Sequence, residues 1–311
     1  MSVLGFEFAG GSIPGRDHLG RSDILVGRNN QDALLWQDFG DSAVAVVCDG
    51  CGSSPHSEVG AKILARLVIS AVRSQYLCLP RVTAAARQAL PADDFWEAVR
   101  NEALANLRIL VLELAGASDQ FERTVRDYCL STVVGVLLCP EGAALFSIGD
   151  GIIALNGEIL ELGPFPNNEP PYLAYGLLSR THAPRFMVRN IAPLESIDSL
   201  LIGTDGVSAF LTVADRRLPG KKEAAGPLQQ FWTESKFFRN PDAVRRRLAL
   251  MNSEVRWAAP DTGRPEIDLG LLRDDTTLVV ARRALPKEVH TVERGLPEGQ
   301  TDSAGSLHHP G

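Results

Sequence analysis

No stretch of this 311-residue chain approaches the roughly 20 consecutive apolar residues that a membrane-spanning helix needs. No membrane association is therefore expected. Basic residues are the minority, with 31 Lys and Arg against 38 Asp and Glu and a net charge of −7. Broad nucleic-acid binding needs basic patches that displace counterions, so this balance argues against it. Cysteine is scarce and odd in number: Cys48, Cys51, Cys78, Cys129 and Cys139. Cys48 and Cys139 lie in apolar runs, which suits reduced, buried thiols and a cytoplasmic location. The six histidines are scattered, and His308 and His309 fall near the end, so a zinc site built on histidine is not expected. The first residues lack a basic segment followed by a long apolar one, so no signal peptide is expected. No internal repeat is visible.

What the chain does have is a 45% hydrophobic composition, enough for a substantial core. Short apolar runs at LGFEF, DILVG, ALLWQ and SAVAVVC are separated by Gly, Asp and Asn and read as strands. From Ser57 the period changes: Val59, Ile63, Leu67 and Ala71 fall four apart, with Leu64 and Val68 beside them. That is a helix face. A second helix is expected over about 93–115, with a stripe of Trp96, Val99, Ala103, Leu107, Leu110 and Leu114. Strands return at TVVGVLLC and AALFSIG, and IIAL and EILEL flank Asn156-Gly157, a hairpin signal. Residues 163–180 contain Pro164, Pro166, Pro170 and Pro171 and read as a loop or flap. RFMVRNI, SLLIGT and TTLVVARR are further strands; the stretch 216–240 is charged and irregular, and a helix is expected near PDAVRRRLALM. The polar tail over 286–311 reads as disordered. Blocks of strands with a pair of inserted helices predict an α+β fold, antiparallel sheets with helices packed outside, in one large domain or two small ones.

Three apolar runs end at Asp-Gly: Asp49-Gly50, Asp150-Gly151 and Asp205-Gly206. A fourth acidic pair, Asp274-Asp275, opens a run instead. Strands that deliver carboxylates at their ends gather acid groups at one rim of a sheet. Such groups repel unless a cation lies between them, and carboxylates favour hard divalent ions. Glycine after the acid allows a tight turn that lets a main-chain carbonyl reach the ion as well. The bland alternative is a hairpin turn, since Asp-Gly is a leading turn dipeptide. It has most force at Asp150-Gly151, where a strand follows at once. Asp275 fits a simple cap or turn.

Asn30-Gln31-Asp32-Ala33, Asp49-Gly50-Cys51-Gly52-Ser53, Ser57-Glu58-Val59-Gly60-Ala61, Gly149-Asp150-Gly151, Thr204-Asp205-Gly206 and Asp274-Asp275-Thr276-Thr277 follow one another in an order that resembles the metal-dependent, type 2C protein Ser/Thr phosphatases, their bacterial branch in particular. The resemblance spans about residues 10–283. It implies a four-layer sandwich of two antiparallel sheets flanked by helix pairs. It implies a phosphoprotein phosphatase that hydrolyses phosphoserine and phosphothreonine with a metal-activated water and no phosphoenzyme. It implies two Mn²⁺ or Mg²⁺ ions: Asp49 bridging both, the Gly50 carbonyl on the second, Asp205 and Asp274 on the first, and Asp32 through water. Asp150 stands where many members hold a third ion. Phosphorylated proteins are the implied substrates and a Ser/Thr kinase the implied counterpart. The chain departs from the family at Gln31, where Glu is usual, and at Cys51, where some eukaryotic members carry His. Arg28 is displaced by one residue from the place of the phosphate-holding Arg, so Arg16 and His18 are alternative anchors. A binding module with little turnover, and a hydrolase of small phosphorylated metabolites, stay open as rival readings. Cys48-x-x-Cys51 imitates a redox motif but does not open a helix. Arg245-Arg246-Arg247 reads as a solvated helix face, or else as a docking patch.

Overall fold

The computed structural model describes residues 4–18, 29–79, 90, 92–179, 183–258 and 264–284. The strand expected at DILVG, Arg28 and the tail over 286–311 lie outside them. Two five-stranded antiparallel sheets stack face to face. One has the order β1 (Phe6–Ile13), β12 (Thr276–Arg283), β9 (Ser199–Gly203), β6 (Ile152–Leu155), β7 (Glu158–Glu161). The other has the order β2 (Ala33–Asp38), β3 (Ala43–Cys48), β4 (Val133–Cys139), β5 (Gly142–Ile148), β8 (Met187–Ala192). A separate ribbon pairs β10 (Val255–Ala258) with β11 (Pro265–Asp268).

Strand side chains alternate between faces, and the apolar runs are sorted accordingly. In β3, Ala43, Ala45 and Val47 enter the layer between the sheets, while Val44, Val46 and Cys48 face helices. In β12, Val279 and Ala281 point between the sheets and Leu278 and Val280 point outward under a second helical layer. These strands are buried on both sides, which is why they read as near-continuous apolar runs. The first helical layer is α1 (Ser57–Cys78), α2 (Asp93–Ala115) and α3 (Phe121–Tyr128). The opposite layer is α4 (Ala243–Met251) with one-turn helices at Phe210–Val213, Gln230–Thr233 and Lys236–Arg239. The α+β four-layer sandwich is thus observed, with the second helical layer assembled from short pieces. Phe231, Trp232 and Phe237 anchor that layer from within the charged 216–240 stretch.

Both long helices bury most of the expected stripe and depart from it at one end. In α1 the buried face runs through Ala61, Leu64, Ala65, Val68 and Val72, and Val59 is exposed. A glycine lets α1 pass close to the end of α3: a Cβ on Gly60 would run into the Tyr128 carbonyl oxygen. In α2 the buried line continues from Leu107 to Val111, and Leu110 and Leu114 face solvent. Residues 103, 107 and 111 keep a spacing of four, whereas 110 and 114 lie on the neighbouring face.

Asp150-Gly151 is not a hairpin. β5 belongs to one sheet and β6 to the other, so the chain crosses between sheets here. Gly149 and Gly151, at φ of 90° and 134°, supply backbone conformations that side-chain-bearing residues avoid.

A candidate metal centre at one rim of the sandwich

Strand register fixes which acids meet. Ala33 pairs with Cys48, so Asp32 precedes β2 beside the point where Asp49 leaves β3. Leu278 pairs with Gly203, so Asp274 and Asp275 enter β12 beside the point where Asp205 follows β9. Asp150 lies on the crossing between sheets. A cleft of about 300 Å³ opens on this rim, and Asp49, Gly50, Asp150, Asp205 and Asp274 all line it. Asp32 lies beneath, buried, with Oδ2 accepting a hydrogen bond from Thr204 Oγ1 at 2.8 Å.

Burial, and then the charges of Asp32, Asp205, Asp274 and Asp150, hold the Asp49 carboxyl well above the usual carboxylate range. Burial, Asp274 and Asp150 push Asp205 up to about 7. Burial, and then the Asp275 charge, raises Asp32, and burial with the Asp274 charge raises Asp150. These are the shifts of acids crowded in a low-dielectric place. Asp32 Oδ1 and Asp150 Oδ1 are buried without a hydrogen-bond partner. Buried carboxylate oxygens seldom stay unpaired, because desolvation is then uncompensated. The donors are hard oxygens, the repulsion calls for positive charge, and the orphaned oxygens call for a ligand. The residues present fit divalent ions such as Mg²⁺ or Mn²⁺.

Gly50 is held tightly. Its N–H donates to the Gln31 carbonyl at 3.2 Å, and a Cβ there would lie 2.6 Å from that oxygen and 2.8 Å from Ser57 Oγ. Gln31 is buried, and its Nε2 donates to Ser57 Oγ at 2.6 Å and to the Ser54 carbonyl at 3.3 Å. Its amide therefore pins the loop that follows Asp49. Ser57 in turn donates to the Cys51 carbonyl at 3.0 Å and does not cap its helix.

The far wall of the cleft comes from the 163–180 segment, through Asn167, Asn168, Pro170 and Tyr172. Asn167 and Asn168 both adopt φ of 56°, a left-handed conformation that Asn tolerates better than most residues. Of the phosphate anchors expected, His18 lines this cleft. Arg16 lines a neighbouring depression instead, donating from Nη1 to the Gly270 carbonyl at 2.6 Å and from Nε to Asp17 at 3.2 Å.

The family described as protein phosphatase 2C matches residues 19–251.

The chain belongs to the protein phosphatase 2C family.

Solved structures similar to it include a serine-threonine phosphatase 2C from Toxoplasma gondii, at 16% identity, over 91% of this chain and 96% of that one, with a TM-score of 0.50. The phosphatase Stp1 from Staphylococcus aureus is 14% identical, over 91% of this chain and 97% of that one, with a TM-score of 0.46. The catalytic domain of PstP, solved in complex with 2 manganese ions, is 16% identical, over 89% of this chain and 97% of that one, with a TM-score of 0.44. At these identities the likeness is one of fold. No curated protein matches the chain.

In this phosphatase 2C chain, Asp274 and Asp275 lie beyond the matched stretch and reach the rim only through the pairing of β12 with β9. The sequence reading gave Asp275 only a cap or a turn. In the structure its side chain is 3% exposed, against 58% for Asp274. It accepts hydrogen bonds from Gly15 N at 2.7 Å, Gln31 N at 2.6 Å and His18 Nδ1 at 2.8 Å. The available signal was alternation: of two adjacent acids at the start of a strand, one must face inward. Thr204 was also missed as the residue that grips Asp32.

All five cysteines are free. Cys48 is buried and burial pushes its thiol up, which counts against a redox pair with Cys51. Arg245 and Arg246 pair with Asp242, while Arg247 is largely buried against Gln230 and Glu223. The triplet is thus a set of intramolecular ion pairs. The solvated-face reading holds for Arg245 and Arg246 and fails for Arg247. Among the described residues no helix is long and apolar enough to cross a membrane.

Proposed function

We propose that this chain is an active, metal-dependent phosphoprotein phosphatase that hydrolyses phosphoserine and phosphothreonine. The observation that carries this reading is the convergence of Asp49, Asp150, Asp205 and Asp274 on one cleft, over two buried carboxylate oxygens that lack partners. Asp49, the Gly50 carbonyl, Asp205 and Asp274 would hold two Mn²⁺ or Mg²⁺ ions, with Asp32 acting through water and Asp150 serving a third. When bound, such ions lower the pKa of a water and stabilise the charge that develops on the transferred phosphoryl group.

The chain's own residues do the rest. Thr204 orients Asp32. Gln31 and Ser57 fix the loop that presents Gly50. Asn167, Asn168 and Tyr172 form the wall against which a phosphorylated side chain would lie, excluding bulk water on that side. The span 1–285 acts as one catalytic unit with about 163–180 as its flap. Phosphorylated proteins are the substrates, in the cytoplasm, and a Ser/Thr kinase supplies them.

Hydrolysis of phosphopeptides with Mn²⁺, with and without EDTA, tests the reading; activity that survives EDTA would overturn it. Faster hydrolysis of small phosphorylated metabolites than of phosphopeptides would move the substrate class. A second reading, a phosphatase fold that binds without turnover, draws on Gln31. The position where the family uses Glu here carries an amide turned toward Ser57. Two tight Mn²⁺ sites by calorimetry favour the enzyme, and none with the fold intact favours the module.

A further inference from the structure

His18 is the one imidazole at the rim of the acid cluster among the described residues. Its Nδ1 lies 2.8 Å from Asp275 Oδ1 and its Nε2 lies 3.7 Å from Asp274 Oδ1. Asp275 is fully engaged: Oδ1 also accepts from Gly15 N, and Oδ2 accepts from Gln31 N. A carboxylate with those donors can only accept from the ring, so the Nδ1 N–H is directed at Asp275 and Nε2 is the nitrogen left to face another partner. Nε2 lies on the side of Asp274, an acid of the cluster, and His18 lines the cleft. A phosphate oxygen there would meet a lone pair on one side and a carboxylate on the other, so the arrangement suits a cation.

We propose that His18 Nε2 is a nitrogen ligand of the ion that Asp274 holds, with Asp275 as the outer carboxylate that fixes the ring. The inference rests on the metal-dependent reading above and gives His18 this role in place of phosphate anchoring. Ligand atoms that share one ion at about 2.1 Å each stand about 3 Å apart when adjacent and about 4.2 Å apart when opposite. The observed 3.7 Å falls between these limits. His18, Asp274 and Asp275 offer ligand atoms within 4.8 Å of one another, but the hydrogen bonds of Asp275 assign it to support. A histidine ligand whose other nitrogen donates to a carboxylate is a recurrent way of fixing ring and tautomer. An imidazole in an otherwise all-oxygen site favours a transition-metal ion over Mg²⁺.

The test is pulsed electron paramagnetic resonance of the Mn²⁺-loaded full chain, with calorimetric titration of Mn²⁺ and Mg²⁺. In the wild type, a ¹⁴N modulation from coordinated imidazole is expected, changing on ¹⁵N-histidine labelling and absent in His18→Ala. His18→Gln, whose amide still donates to Asp275, should lose it too. Either variant should weaken Mn²⁺ binding by about tenfold or more and Mg²⁺ binding by less than about threefold. A wild type without ¹⁴N modulation, or a modulation that persists in both variants, overturns the proposal. If the wild type binds Mn²⁺ without that modulation and Asp49→Asn abolishes binding, the metal-dependent reading stands and only the role of His18 falls. If the wild type binds no Mn²⁺, both fall.

Discussion

Thr204 Oγ1 donates to Asp32 Oδ2 across 2.8 Å, joining the end of β9 in one sheet to the start of β2 in the other. The same hydroxyl accepts the Thr277 N–H at 3.1 Å, so one side chain ties β9, β12 and the Asp32 carboxyl together. Thr204→Val keeps the shape and removes both bonds. It takes from buried Asp32 its 2.8 Å hydrogen bond, and a buried group stripped of a partner costs about 1–3 kcal/mol. Urea unfolding in EDTA should show that loss. Mn²⁺ affinity should fall with it, because Asp32 is no longer oriented.

Asp49→Asn separates function from stability. Activity on a phosphopeptide should drop by about a hundredfold or more, since one carboxylate is assigned to both ions. The metal-free variant should nevertheless melt higher than the wild type near neutral pH, because burial, and then the charges of Asp32, Asp205, Asp274 and Asp150, disfavour ionisation of Asp49 in the folded chain, a penalty that an amide does not carry. A lower melting temperature in EDTA would contradict this account of the cluster.

The metal-free protein should lose stability as pH rises. Asp205 is raised to about 7 when folded, against 3.8 for an unperturbed aspartate. A raised carboxyl holds its proton longer in the folded chain than in the unfolded one. Below 3.8 the two states bind equal protons, and between that value and about 7 the unfolded state gains by ionising. The contribution of Asp205 therefore declines through this window and levels off above it. Asp49, Asp32 and Asp150 shift in the same direction and add to the slope. Saturating Mn²⁺ should flatten it. Melting temperatures across pH 4–8, with EDTA and with Mn²⁺, measure both effects, the range being about that over which raised carboxyls titrate.

Gly60→Ala should destabilise the fold without touching the cleft. The added methyl would meet the Tyr128 carbonyl, where α1 passes the end of α3. Overpacking of this kind costs about 1–3 kcal/mol, and backbone yields less readily than a side chain. A lower denaturation midpoint with unchanged Mn²⁺ affinity of the folded fraction is the expected result.

The strands and the acids were legible because their signals are local. An apolar run that stops at Asp-Gly carries both the buried strand and the carboxylate at its tip. AVAVVC before Asp49 and SLLIG before Asp205 became β3 and β9 as their composition implies. The helix faces were less legible. Residues Val59, Leu110 and Leu114 are apolar and correctly spaced but face solvent, because apolar side chains are not all used by the core.

By itself, the sequence determined most strands of the two sheets, the three longest helices, the two-sided burial of the central strands and the set of acids available to a cation. These follow from residue type and from periods of two and 3.6, which act over a few neighbours. Only the tertiary structure decided that Asp150 sits on a crossing between sheets and that Gln31 braces a loop. It also decided that Asp275 turns inward to hold His18 from 257 positions away. Such pairings depend on how two sheets register and stack, and no local period encodes that.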